Sequence, residues 1–374
     1  HMKVLFAGGG TAGHIFPIIA TIREIKKKYT QGEFQFFYIG PKDQFTEKLL
    51  VKEGVQVRTI LAGKIRRYFS FQNIIDILFK LPISFFQAFY YVFTISPDLI
   101  FGKGGYGSIS TIIAGWTLLT PIFIHESDTS PGLANKVASR FALEIFTSFS
   151  VKDTKYFPAN KMICVGNPER MEIFSGSPEK AKEIFKLKGG KPIIFILGGS
   201  QGSQKINNII LIILSDLLEN FEVIHQIGKK NFKQIKAEAE VVIGKGLKEF
   251  YHPLAFLNEQ ELPNAYNVAD LIISRAGAGA IFEIAALGKP SILVPLPKSA
   301  QDHQIKNAYT FAKNGSAIVI EQKNFTPHFI LEKIKYLISQ PKKLAEMSKK
   351  AKEFSKPEAA KMVAEYITSY LTWK

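Results

Sequence analysis

Short apolar runs alternate along this chain with longer amphipathic stretches. Runs at 4–7, 34–39, 55–60, 98–101, 122–125 and 145–148 have the length and residue types of strands. Helical spacing fills the intervals at 14–29, 43–53, 71–95, 106–119 and 132–142. Apolar strands bounded by glycine and separated by helices predict a parallel sheet covered on both faces. The pattern then starts again. A run at 193–197 leads into Gly198-Gly199-Ser200-Gln201-Gly202, much as 4–7 leads into Gly8-Gly9-Gly10-Thr11-Ala12-Gly13. Further strands are expected at 222–226, 271–274, 291–295 and 317–320, and helices at 326–339, 341–355 and 357–372 close the chain. Two α/β domains follow, 3–165 and 166–356, with 357–374 assigned to the first. The turn-forming tripeptide Gly166-Asn167-Pro168 marks the boundary.

Charge narrows the possible partners. The 374 residues hold 48 Lys+Arg against 32 Asp+Glu, a net +16 that predicts attraction to an anionic partner. The excess is shared by both halves, with no basic tail and no zinc-finger or helix-turn-helix signature, so nucleic acid is not the expected partner. A single cysteine, Cys164, excludes an internal disulfide framework and a cysteine-based zinc site. The uncharged stretches at 81–97 and 104–124 are broken by Pro82 and Gln87, and by four glycines and Pro121. Neither reads as a spanning helix, which needs about 20 mostly apolar residues. No secretion signal precedes the first strand, so a soluble, reducing compartment is expected.

Candidate chemistry sits in the turns. Gly8, Gly10 and Gly13 fit a GxGxxG spacing between a strand and a helix, where backbone N–H groups can approach a phosphate. A dinucleotide would want an acidic residue at the end of the second strand, but that strand ends Ile39-Gly40-Pro41-Lys42. His14 opens the first helix, and an imidazole is a side chain whose reference pKa suits a general base. Lys103-Gly104-Gly105-Tyr106 and His125-Glu126-Ser127-Asp128 follow the fourth and fifth strands, and Asn135 and Lys136 open the next helix. All are predicted at the carboxyl ends of strands, where open α/β sheets bind ligands. In the second half, Ser274 to Ala280 leads into a helix containing Glu283. Its small residues and helix N-terminus suit a diphosphate, and Glu283 suits ribose hydroxyls. Asp302 and His303 hint at a metal, but no further ligand cluster supports one.

Taken in order, GGGTAGHIFP (8–17), GKGGYGS (102–108), HES-x-x-x-PGLANK (125–136), VGNPER (165–170), GGSQGS (198–203), SRAGAGAIFE (274–283) and QDHQIKNA (301–308) resemble the MurG family of glycosyltransferase family 28. The resemblance implies a GT-B α/β fold of two facing Rossmann-like domains with parallel sheets and a cleft between them. It implies transfer of N-acetylglucosamine from UDP-N-acetylglucosamine to the muramoyl 4-hydroxyl of undecaprenyl-diphospho-muramoyl-pentapeptide (lipid I), with inversion, giving lipid II. No cofactor and no metal are implied. His14 matches the base, with Glu126 as its rival. Thr11, Ala12, Gly13, Tyr106, Asp128 and Asn135 match the acceptor side. Arg170, Phe256 and Leu257 match positions around the uracil. Ser200, Ala278, Gly279 and Ala280 match positions around the diphosphate, Glu283 the ribose, and His303 and Gln304 the sugar hydroxyls; Arg275 is expected to stabilise departing UDP. Two departures stand out: Asp128 where the family usually has asparagine, and Ala280 where a hydroxyl residue is common. Another GT-B transferase, a nucleotide-sugar epimerase and a catalytically inactive membrane-docking protein remain alternatives.

A lipid-linked acceptor requires contact with the bilayer. Residues 63–93 hold more apolar side chains than one buried helix face needs, with Lys64, Arg66, Arg67 and Lys80 among them. Phe79, Ile83, Phe86 and Phe89, joined by Trp116, are the expected docking face for an anionic membrane. A cytoplasmic enzyme, peripheral on the inner face of the plasma membrane, is the resulting expectation.

Overall fold

Strands that are apolar on both faces need cover on both sides, and the chain provides it twice. The structure is a computed structural model. It describes residues 1–374 except Gly10, Thr11, 30–32, 63–79, Lys155, Ser200, Lys298, Ala300, Gln301 and Lys374. The chain divides into two compact units, His1–Arg170 with Lys356–Lys374, and Met171–Ser355.

The first unit is built on β1 (Met2–Ala7), β2 (Phe34–Pro41), β3 (Gln56–Ile60), β4 (Leu99–Gly102), β5 (Ile122–Glu126), β6 (Glu144–Thr147) and β7 (Met162–Cys164). They form one parallel sheet in the order β3-β2-β1-β4-β5-β6-β7. Among the described residues the connecting helices are α1 (Ala12–Lys28), α2 (Gln44–Lys52), α3 (Leu81–Ile95), α4 (Ile109–Thr117) and α5 (Leu133–Ala138). Alternate residues of β1 go to opposite faces, as the strand period requires. Val4 and Phe6 join Ile15, Ile18 and Ile22 of α1 on one side. Leu5 and Ala7 join Val92 of α3 and Ile112 of α4 on the other.

In the second unit, β8 (Ile193–Leu197), β9 (Glu222–Gln226), β10 (Tyr251–Leu254), β11 (Leu271–Ser274), β12 (Ser291–Leu293) and β13 (Ile318–Val319) form a parallel sheet in the order β10-β9-β8-β11-β12-β13. Its helices are α6 (Pro178–Phe185), α7 (Gln204–Asn220), α8 (Phe232–Val242), α9 (Glu261–Val268), α10 (Ala278–Leu287), α11 (His303–Ala312), α12 (Pro327–Ile338) and α13 (Pro341–Phe354). The closing helix α14 (Ala359–Thr372) returns to the first unit, where Val363 and Ile367 enter the core beside α1.

Two strands escape the sequence pattern, and both are edges. β7 is three half-buried residues, and β10 contains Pro253, which an edge strand tolerates because one side of its ladder is unpaired. The helix expected at 132–142 is shorter. It stops at Ala138, and tight turns such as Phe141 N–H to Ala138 O carry the chain into β6. In each sheet the strand order reverses beside the first strand, between β1 and β4 and between β8 and β11. Ligand sites of open α/β sheets lie outside the carboxyl ends of strands at such points.

Candidate active site

In the first unit the loops after β1 and β4 touch backbone to backbone. A Cβ on Gly105 would stand 2.1 Å from the Gly9 carbonyl oxygen, and one on Gly107 2.8 Å from that of Gly8. Glycine is therefore required at both, and Gly105 also has a φ of +82°. His14 lies in the first turn of α1, half-buried, with Cε1 only 3.2 Å from that Gly105 Cβ position. Tyr106, half-buried, occupies the same loop. The glycine spacing thus brings an imidazole and a phenol to the carboxyl ends of β1 and β4.

Beneath them lies a buried polar core. Glu126 ends β5 at 4% exposure, and both its oxygens are engaged. Oε1 accepts from the Asp128 N–H at 2.9 Å, and Oε2 accepts from Asn135 Nδ2 at 2.8 Å. Asn135 Nδ2 also donates to the His125 carbonyl at 3.0 Å. Burial, reinforced by the charge of Asp128, pushes the Glu126 carboxyl up to about 7. Lys103 follows β4 and is equally enclosed. Its ammonium donates to Ser127 Oγ, which donates to Asn167 Oδ1 at 3.1 Å, and Asn167 Nδ2 donates to Glu169 Oε1 at 2.6 Å. Burial lowers Lys103 to about 8, while Glu126, Asp128 and Glu169 pull the other way. His125 is buried and neutral: burial and the Lys103 charge hold its pKa well below the usual value, and Nε2 lies 2.9 Å from the Gly166 carbonyl.

These positions add to the sequence reading. Glu126 ties together the loop from His125 to Asn135 through both of its oxygens. Lys103 was not singled out as a site residue, yet it is the cation at the centre of this core. The only sequence signal is a lysine directly after an apolar strand at a switch point. Arg170 ends the first segment of the first unit, its guanidinium 3.9 Å from the centroid of the Phe16 ring on α1.

In the second unit the turn before α7 meets the turn after β9. A Cβ on Gly202 would stand 2.0 Å from the Ile227 carbonyl oxygen, and one on Gly228 2.3 Å from that of Gln201. Arg275, directly after β11, is buried, and both its terminal nitrogens are hydrogen-bonded. Nη1 donates to Val294 O at 3.0 Å and Pro295 O at 3.4 Å; Nη2 donates to Ser203 Oγ and Gln322 Oε1, both at 2.7 Å. It clamps these loops together. Ala278, Gly279 and Ala280 form the first turn of α10, and its cap Gly277 brings no side-chain acceptor to the leading N–H groups. Glu283 lies one turn further on, and Tyr266 Oη donates to its Oε2 at 2.9 Å. Leu257 is buried with its N–H given to Gln226 Oε1 at 3.0 Å, and Lys229 Nζ lies 5.2 Å from the Phe256 ring centroid. His303 opens α11. Beside it, Gln304 Oε1 accepts from the Leu296 N–H at 3.0 Å.

The apolar face on α3 differs by one step from the expected one. Ile83, Phe86, Tyr90 and Phe93 are 45–69% exposed, and Trp116 on α4 is 51% exposed, with Leu119 exposed just beyond that helix. Phe89 turns inward and packs, partly buried, on the core beside Phe85. Thr11, Ser200 and Phe79 lie outside the described residues, as does the side chain of Ala12. Among the described residues, no helix is long and apolar enough to cross a membrane, and no group of three or more His, Cys, Asp or Glu side chains is placed to hold a metal ion.

Residues 4–147 match the glycosyltransferase family 28 N-terminal domain, and residues 193–363 its C-terminal domain. The chain belongs to glycosyltransferase family 28. A relative of this family 28 chain from Clostridium tetani is 35% identical over 373 residues, covering 100% of this chain and 99% of the relative. Another from Treponema denticola is 34% identical over 391 residues, covering 99% and 98%. Each is named UDP-N-acetylglucosamine–N-acetylmuramyl-(pentapeptide) pyrophosphoryl-undecaprenol N-acetylglucosamine transferase. The crystal structure of Acinetobacter baumannii MurG is similar with a TM-score of 0.74 and 26% identity, covering 99% of this chain and 100% of that one. A UDP-GlcNAc 2-epimerase from Neisseria meningitidis, bound to UDP-GlcNAc, shares the fold at a TM-score of 0.69 and 15% identity, covering 98% of this chain and 100% of that one.

Proposed function

We propose that this family 28 chain transfers N-acetylglucosamine from UDP-N-acetylglucosamine to the muramoyl 4-hydroxyl of undecaprenyl-diphospho-muramoyl-pentapeptide, with inversion, giving lipid II. The observation that carries this reading is the 35% identity, running the whole length of both chains, to a protein named for that activity. The first unit takes the lipid-linked acceptor and the second takes the nucleotide sugar. His14 removes the proton of the attacking hydroxyl, supported by its place at the glycine loops, with Glu126 as its rival. The N-termini of α7 and α10 face the charge that develops on departing UDP. Glu283, oriented by Tyr266, accepts from ribose hydroxyls. The protein meets an anionic membrane on its cytoplasmic face through Ile83, Phe86, Tyr90, Phe93 and Trp116, supported by their exposure.

The test is incubation with radiolabelled UDP-N-acetylglucosamine and a lipid I analogue. Label in a lipid product carrying the new disaccharide is expected. Label isomerised on the nucleotide without acceptor would make the chain an epimerase. Transfer to a different lipid would make it another transferase. Vesicle binding with no turnover would leave only a docking protein.

A further inference from the structure

The end of β9 holds two turns of the second unit through side chains. Gln226 is 3% exposed. Its Nε2 donates to the Gly199 carbonyl at 3.0 Å, and its Oε1 accepts from the Leu257 N–H at 3.0 Å. A carbonyl only accepts and a backbone N–H only donates, so no flipped amide satisfies both. Gly199 lies in the glycine-rich turn before α7, and Leu257 in the loop after β10. One amide therefore spans the two loops.

Its neighbours on β9 stiffen the span. Asn207 Nδ2 donates to the Ile227 carbonyl at 3.0 Å, which leaves its Oδ1 to accept from His225 Nε2–H at 3.0 Å. His225 Nδ1 then accepts from Tyr251 Oη at 2.9 Å. Burial lowers His225 to about 3, so the ring is neutral and this pattern is fixed at working pH. The start of α7 and the end of β9 are thus locked in register, and Gln226 extends that lock to Gly199 and Leu257.

We infer that Gln226 is a positioning residue for the nucleotide: it fixes the spacing between the diphosphate turn at Gly199 and the base loop at Phe256 and Leu257. The inference rests on the donor reading proposed above. A ligand that reaches both loops gains from having them held at the right distance before it binds. A ligand that reaches one loop gains nothing from the spacing. That difference separates positioning from bulk stability.

The experiment compares UDP with uridine on Gln226→Met, which keeps the volume and removes both hydrogen bonds. UDP affinity is measured by calorimetry and uridine affinity by competition. UDP should bind about tenfold more weakly, uridine within about twofold of wild type, and the donor KM should rise while the acceptor KM stays. If Gln226→Met does not fold, Gln226→Glu carries the same comparison. It keeps the acceptor for Leu257 and sets a carboxylate oxygen against the Gly199 carbonyl. Unchanged UDP affinity would overturn the inference, as would equal weakening of UDP and uridine. Wild-type protein that fails to bind UDP would remove the donor reading and the inference with it. Wild-type binding that is lost in Glu283→Ala but kept in Gln226→Met removes the inference alone.

Discussion

Lys103 and Arg275 occupy equivalent places in the two units. Each is the residue directly after the strand beside the switch point, and each gives its backbone N–H to the last residue of the first strand: Lys103 to Ala7 O at 2.8 Å, Arg275 to Leu197 O at 3.2 Å. Both side chains are buried cations. Their surroundings differ. Lys103 faces three carboxylates, Glu126, Asp128 and Glu169, whereas the Arg275 guanidinium donates to two carbonyls, a hydroxyl and an amide. A lysine ammonium can lose its proton, and its strength here depends on the protonation of its neighbours. A guanidinium stays charged and holds its partners through a rigid planar fork. The first unit therefore has a centre whose charge responds to pH, and the second has a clamp. That division suits proton-transfer chemistry on one side and nucleotide binding by preset geometry on the other.

The largest test of this division is His14→Ala. If proton transfer belongs to the first unit alone, turnover should fall by about 10²–10⁴ while UDP affinity stays at the wild-type value. Steady-state kinetics paired with calorimetry checks both halves. A comparable loss of UDP affinity would erase the separation between the units.

Lys103→Met should have the next largest effect. Removing one partner of a buried charge cluster costs about 3–5 kcal/mol. The cost should depend on pH. Glu126 already titrates above the usual carboxyl value, and loss of the nearby cation raises it further. A carboxyl whose folded pKa is raised contributes stability that is fully present below its unfolded pKa and is lost as pH rises through the folded value. The variant should therefore lose more against wild type at pH 8 than at pH 5, read from urea unfolding of the first unit. Arg275→Lys should destabilise the second unit with no such slope. Equal losses for Lys103→Met at both pH values would reduce Lys103 to a packed stem.

Much of this was legible in the sequence, for a physical reason. Central strands covered on both faces read as unbroken apolar runs, and glycine turns mark where a helix N-terminus follows. The edges β7 and β10 were not legible, because half-exposed strands of three or four residues carry no clear period. The candidate site divides in the same way. Spacing alone brings His14, Tyr106 and Glu126 to neighbouring loops, since each ends or follows a strand of one sheet. What each side chain does there was hidden. Nothing local distinguishes a lysine enclosed by carboxylates from a lysine on a loop, or an arginine holding carbonyls from one exposed to solvent. Partners distant in sequence decide both: Glu169 for Lys103, and Gln322 for Arg275.

A smaller effect is expected at the proposed ribose contact, where Glu283 and Tyr266 act in series. Glu283→Ala should weaken UDP binding about ten- to a hundredfold, the cost of a charged hydrogen bond. Tyr266→Phe removes only the group that orients the carboxylate and should cost about two- to tenfold. Calorimetry on both variants orders them. A Tyr266→Phe loss equal to that of Glu283→Ala would mean the tyrosine contacts the nucleotide itself.

The smallest effect separates Phe86 and Phe93 from Phe89 on one helix. Steps of three along an α-helix drift around its axis, so Ile83 and Phe89 point about 120° apart. Steps of three, four and three stay closer together, and they select Ile83, Phe86, Tyr90 and Phe93. The exposures follow that second rule, with Phe86 at 69% and Phe93 at 66%, while Phe89 packs on the core. Replacing Phe86 and Phe93 by serine should lower co-sedimentation with anionic vesicles about two- to fivefold, because less apolar surface is available to enter the interface. UDP affinity should not change. Binding of the wild type should weaken with salt, since lysines and arginines near the helix contribute a screened attraction. Phe89→Ser should do the reverse, leaving vesicle binding near wild type and lowering the unfolding midpoint, because the lost ring belongs to the interior. If Phe89→Ser reduces pelleting as much as the double variant does, the inward and outward faces of α3 are not distinct, and the exposed stripe is not what holds the protein to the bilayer.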